Sequence, residues 1–184
     1  MIKDRRLNEF SICLIPDDQV IEQIKALRHK LPPSPYRDDT PHITLLRGIT
    51  SSEDLPDKEL LNSITQVAQL ERTLPLDVRV KTVTNMSNQF YSESGLLILE
   101  SPRELLTLRS AVINSLSKLG YEIEKNEVDS YSPHMTVRLG VKLEGSVLDQ
   151  AINLFQEKSI QFSKWSLFRL IVKDGSRHIH ELEA

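Results

Sequence analysis

Hydrophobic positions along this chain alternate between a period of two and a period near 3.6, and each switch marks an element. Phe10 to Ile15 is a continuous apolar run, expected as a buried strand closed by Pro16. Asp17 or Asp18 then caps a helix whose apolar positions are Val20, Ile21, Ile24, Leu27 and Leu31. Pro32, Pro33 and Pro35 end it, because proline cannot continue a helix, and Ser34 to Thr40 reads as a loop. A second strand is expected through Ile43 and Leu45. After Gly48, a helix from about Asp54 carries Leu60, Leu61, Ile64, Val67 and Ala68 on one face. Leu76, Val78, Val80 and Thr82 alternate with polar residues, as in a strand with one wet face.

The plan is then written again. Gly95 to Leu99 is a strand, and Ser101, Pro102 and Glu104 read as a capping-box start with proline at the first helical position. The helix carries Leu105, Leu108, Val112, Leu116 and Leu119, and Gly120 ends it. A polar connector, Glu122 to Ser130, leads to a further strand. Gly140 and Gly145 precede a helix bearing Leu148, Ile152 and Phe155. Trp165 to Val172 reads as a strand and Arg177 to Leu182 as an edge strand. The element order predicts one domain, 1–184, built of pseudo-repeats at about 8–84 and 95–173, whose two lobes face each other across a cleft.

The strands at matching places in the repeats share a motif: Pro41-His42-Ile43-Thr44 and Pro133-His134-Met135-Thr136. Alternate strand residues share a face and repeat over roughly 7 Å. His and Thr of each copy therefore project together, while Ile43 and Leu45, or Met135 and Val137, face the core. With five histidines and nine threonines in the chain, two such spacings are roughly a one-in-fifty accident, and the shared proline makes accident rarer still.

Two histidines flanking one phosphodiester need neither metal nor covalent intermediate. One, neutral, takes a proton from the attacking oxygen; the other, protonated, gives one to the leaving oxygen. Imidazole suits both tasks because its ordinary pKa lies near neutrality. The Thr44 and Thr136 hydroxyls are placed to donate to the non-bridging phosphate oxygens.

Composition narrows the setting. The net charge of −3 excludes a general basic surface for long duplexes and favours a small nucleotide or a short RNA terminus held by local cations. Cys13 is the only cysteine, expected as a buried structural thiol in a reducing, cytoplasmic compartment. The N-terminal apolar run is too short for a signal peptide, and nothing approaches the length of a membrane span. No cofactor is expected and no metal, since there is no cysteine cluster and no His-Glu-x-x-His. A phosphate loop of the Gly-rich type is also missing. His178 and His180 alternate near the C-terminus and read as a solvated strand, His29 as exposed helix surface. The chain is expected to be a monomer.

The paired Pro-His-x-Thr strands resemble the two-histidine (2H) phosphoesterase superfamily, and within it the bacterial RNA 2′,3′-cyclic phosphodiesterases, also called 2′,5′ RNA ligase-like proteins. The resemblance implies an α+β, bilobal, pseudo-symmetric fold with two antiparallel sheets lining a central cleft and helices outside. It implies metal-independent hydrolysis of cyclic or 2′,5′ phosphodiesters, with His42 and His134 as acid and base and Thr44 and Thr136 on the phosphate. Common bacterial members carry an Arg five positions after the second His; here Arg138 is four after His134. On a regular strand Arg138 shares the face of His134 and Thr136 and is a candidate phosphate contact, whereas Arg47 faces away unless the strand bulges. Tyr131, Tyr36 and Phe168 are the other candidate substrate contacts: Tyr131 to stack on a base or to pack against the connector, Tyr36 at the rim, Phe168 towards cleft or core. RNA 3′-end trimming, 2′,5′ ligation on the same site, and a non-catalytic nucleotide-binding module are the alternative readings.

Overall fold

The apolar runs pair into strands, and the pairing runs in a circle. A computed structural model describes residues 9–34, 39–51, 57–68, 73–87, 93–124, 131–173 and 176–183. The first half contains β1 (Glu9–Pro16), α1 (Asp18–Arg28), β2 (Ile43–Thr50), α2 (Asp57–Ala68) and β3 (Leu76–Met86). The second contains β4 (Ser94–Leu99), α3 (Arg103–Lys118), the short β5 (Glu122–Ile123), β6 (His134–Arg138), α4 (Gly145–Phe155), β7 (Ser159–Lys173) and β8 (Ser176–Glu183). The fold is α+β, and its paired strands are antiparallel.

The strands follow the order β1-β2-β6-β4-β3-β7-β8, and β1 also pairs with β7. Six strands therefore close on themselves, with β5 added beside β2 and β8 beside β7. The two sheets expected from the repeat are thus joined into one network. Their junctions are β7, which pairs with β3 over Ser159–Phe162 and with β1 over Phe162–Arg169, and the contact between β2 and β6. That second junction consists of one register pair, Ile43 opposite Met135. The ring is barely stitched there, and it is there that both His-x-Thr motifs lie.

Alternation decides what each strand buries. Phe10, Ile12 and Leu14 of β1 enter the main core with Ile43, Leu45, Met135, Val137 and Leu97. Cys13 and Ile15 point the other way, into a small cluster with Phe168 of β7 and Ile21 of α1. Both faces of β1 are covered, as its unbroken apolar run requires. Cys13 is buried as expected, and burial pushes its thiol well above the usual range. The helices pack in pairs, α1 beside α4 and α2 beside α3, and α1 lies on β6 while α3 lies on β2. Each half thus lends its first helix to the motif strand of the other.

Several boundaries move. The first helix stops at Arg28 rather than Leu31, and the expected start at Asp54 falls outside the described residues. No capping box forms at α3: Pro102 occupies the cap position and no side chain caps the helix. β5 emerges within the stretch read as connector, and β7 begins six residues before Trp165, because Ile160 and Phe162 alternate into the core. Among the described residues no helix is long and apolar enough to cross a membrane.

Candidate active site

The single β2–β6 pair sets the geometry of the motifs. Continued one residue either way, the antiparallel register of Ile43 opposite Met135 sets His42 towards Thr136 and Thr44 towards His134. The two histidines are diagonal neighbours, a relation that separates side-chain origins by roughly 7–8 Å. That leaves room for a phosphoryl group between two imidazoles. Ile43 and Met135 are fully buried beneath, so the polar face is the opposite one. The structure therefore brings His42, Thr44, His134 and Thr136 together.

Each ring is oriented by the same bond. His42 Nδ1 lies 2.7 Å from the Thr40 carbonyl and His134 Nδ1 lies 3.0 Å from the Ser132 carbonyl. A carbonyl only accepts, so both Nδ1 atoms carry the hydrogen and both Nε2 atoms are left for chemistry.

The surroundings differ. His42 is half-buried, and its ring packs on Phe168 at 4.5 Å between centroids and 36° between planes. Burial lowers the His42 pKa from the ordinary imidazole value, and the nearby His134 lowers it further. The Thr40 carbonyl and the Asp39 and Glu181 carboxylates oppose that shift without reversing it. Glu181 of β8 also accepts a 2.6 Å bond from the Thr40 hydroxyl, so it steadies the residue that orients His42. His134 is exposed. Thr44 faces Cys13 across β1–β2, with Cys13 Sγ 3.9 Å from its hydroxyl oxygen. Among the described residues no three His, Cys, Asp or Glu side chains converge as metal ligands would.

The candidate substrate contacts fare unevenly. Phe168 is buried, packed with Cys13, Ile15 and Ile21, and its ring is seated against His42. Tyr131 does not stack outward: it packs against the main core with its ring under Arg109, whose Cζ sits 4.6 Å from the ring centroid. Tyr36 lies outside the described residues, as do the side chains of His178 and His180 on β8. His29 is exposed at the end of α1.

Arg138 is a correction. In the β4–β6 ladder Gly95 faces Arg138 and Leu96 faces Thr136, so Val137 is an extra residue. A one-residue bulge reverses which face the following side chain takes. Arg138 accordingly turns away from Thr136 towards α1, where its Nη1 donates to the Arg28 carbonyl at the helix end. It also lines a groove of about 600 Å³ along α1 with Asp18, Lys25, His29 and Pro41. The β1–β2 ladder slips in the same way: Ile12 faces Leu46 and Cys13 faces Thr44, leaving Leu45 over. Leu45 and Leu46 are both buried and Arg47 is exposed, so the bulge brings Arg47 back to the face of His42 and Thr44.

Two further residues escaped the sequence reading. Arg28 Nε donates to the Val137 carbonyl at 2.7 Å and its Nη1 to the Asp39 carbonyl at 2.7 Å. Arg109, 6% exposed, donates Nε to the Leu45 carbonyl at 3.1 Å. A signal was present: each follows an apolar stripe residue by one helical turn, Arg28 after Ile24 and Arg109 after Leu105.

Comparisons with known proteins agree with this architecture. The family model of the 2′-5′ RNA ligase superfamily matches residues 16–172. The fold is similar to Escherichia coli LigT without ligand, with a TM-score of 0.55 at 16% identity over 96% of this chain and 95% of that one. It is similar to TT0787 of Thermus thermophilus, with a TM-score of 0.55 at 18% identity over 95% of each chain. Kluyveromyces marxianus Usb1 gives 0.51 at 13% identity over 97% of this chain and 99% of that one. No curated protein sequence matches the chain.

Proposed function

The chain belongs to the 2′-5′ RNA ligase superfamily, a family of enzymes acting on phosphodiester bonds, and from that premise we propose a metal-independent phosphodiesterase for 2′,3′-cyclic phosphate or 2′,5′-linked substrates. One observation carries the reading: two imidazoles across one strand junction, each with Nδ1 bonded to the carbonyl two residues earlier. His42 is assigned as the base, because burial beside Phe168 favours its neutral form. Its Nε2 takes a proton from water as the water oxygen bonds to phosphorus. The bond from phosphorus to one ribose oxygen breaks, and that oxygen takes the proton held on Nε2 of His134. The exposed His134 is then reprotonated from solvent while His42 returns its proton. Thr44 and Thr136 donate to the non-bridging oxygens, and Arg47 supplies a cation at the cleft.

A small nucleotide or short RNA terminus is the proposed substrate, bound by a cytoplasmic monomer of one domain with pseudo-repeats at 8–84 and 95–173. LigT, which shares the fold, has been crystallised with 3′-AMP. Ligation of 2′,5′ ends would use the same residues in reverse order. The test is hydrolysis of 2′,3′-cyclic nucleotides and 2′,5′-linked oligonucleotides with chelator present. Chelator-resistant turnover with a bell-shaped pH profile is expected. Turnover abolished by chelator and restored by zinc would overturn the mechanism.

A further inference from the structure

The two bulged residues, Leu45 and Val137, occupy the same place: each is three positions after its motif histidine. A bulge takes its residue out of the ladder, and a buried carbonyl there needs another donor. In both cases that donor is an arginine Nε from the helix lying across the strand, Arg109 for Leu45 and Arg28 for Val137. Each guanidinium also touches the residue three positions before the other histidine. Arg28 Nη1 reaches the Asp39 carbonyl ahead of His42, and Arg109 lies over the Tyr131 ring ahead of His134. Arg28 adds a longer bond from Nη2 to the Thr136 carbonyl at 3.4 Å.

We infer that Arg28 and Arg109 are positioning residues that set the spacing of His42 and His134, each tying the strand beyond one histidine to the chain before the other. β2 and β6 share one register pair, Ile43 with Met135, and a single pair leaves the strands free to twist and splay. Each guanidinium spans that junction, Arg28 from Val137 to Asp39 and Arg109 from Leu45 to Tyr131. A planar fork with several donors can bridge two fixed acceptors at once, which a lysine ammonium on its single flexible stem does poorly. Proton transfer through two imidazoles tolerates little error, since a displacement of about 1 Å costs on the order of a hundredfold in rate.

The role as positioning residues in catalysis rests on the phosphodiesterase reading; the spacing itself does not. The test compares Arg28→Lys, Arg28→Met, Arg109→Lys and Arg109→Met with the wild type by kcat and KM on a 2′,3′-cyclic nucleotide. Thermal melting and the imidazole nitrogen resonances of His42 and His134 are measured in the same proteins. In folded variants kcat is expected to fall about tenfold to a hundredfold with KM within about twofold. Both histidines should shift in each variant, because each arginine touches both motifs. A folded variant with unchanged kcat and unchanged imidazole resonances would overturn the inference, as would a loss that merely follows the unfolded fraction. If the methionine variants do not fold, the lysine variants decide. Should the wild type turn over nothing, the reading of function fails and the imidazole resonances alone decide the spacing.

Discussion

The two motif strands share a backbone and part company in what covers them. Both begin after a proline, aim Nδ1 at the carbonyl two residues back, and bulge three residues after the histidine. Yet His42 sits under Phe168 beside Asp39 and Glu181, while His134 stands in solvent. The covering comes from two side chains, Phe168 of β7 and Glu181 of β8, which lie beside the first motif histidine. A symmetric scaffold thus acquires two unlike imidazoles through neighbours rather than through the motif. Under the proposed mechanism, the division of labour between base and acid would be a property of packing.

The strongest attempt to break the comparison removes each ring. His42→Ala and His134→Ala are each expected to lower kcat by about 10²–10⁴, with melting temperatures close to wild type. Comparable losses in steady-state assays would mark both rings as reacting groups. Retention of most activity in either variant would show that one ring is only scaffolding.

A smaller effect is expected from the second bulge. A Cβ at Gly95, the register partner of Arg138, would run into the Leu143 side chain at Cγ. Gly95→Ala should therefore destabilise by about 1–3 kcal/mol in urea unfolding, through forced repacking of a core leucine. An unaltered midpoint would mean that β4 and β6 yield more readily than their pairing implies.

The finest probe is electrostatic. Phe168→Leu thins the cover over His42, so the His42 pKa should rise towards the ordinary value and the acid limb of kcat/KM should move to higher pH. Nuclear magnetic resonance titration would locate the change at His42. Stability carries the same signature. Folded His42 binds its proton less tightly than in the unfolded chain, so its contribution is complete above the ordinary imidazole range. It is lost as pH falls through the folded value. The leucine variant should flatten that loss, and a profile identical to wild type would remove burial as its cause.

The part of this arrangement written locally was legible in the sequence. A period of two around His42 and His134 placed both His-x-Thr pairs on strands, and the order of elements placed the strands together. What the sequence pattern hid was any departure by one residue. Arg138 and Arg47 exchange faces because Leu45 and Val137 bulge, and nothing in the hydrophobic pattern announces a bulge among consecutive apolar residues. Tyr131 packs inward rather than opening towards a base, and its partner, Arg109, comes from a helix earlier in the chain. Long-range partners of this kind, Glu181 with Thr40 among them, are set by tertiary packing that no short window contains.

The long β7 has a bearing on how the protein assembles. It holds β1 along one edge and β3 then β8 along the other, so β1 waits for a partner from which nearly every other element separates it. Strands this remote in sequence impose a large entropy of loop closure before any reward, and such topologies fold slowly. Until β7 docks, neither motif histidine has a settled platform, and any turnover should emerge late in refolding, in step with closure of the ring.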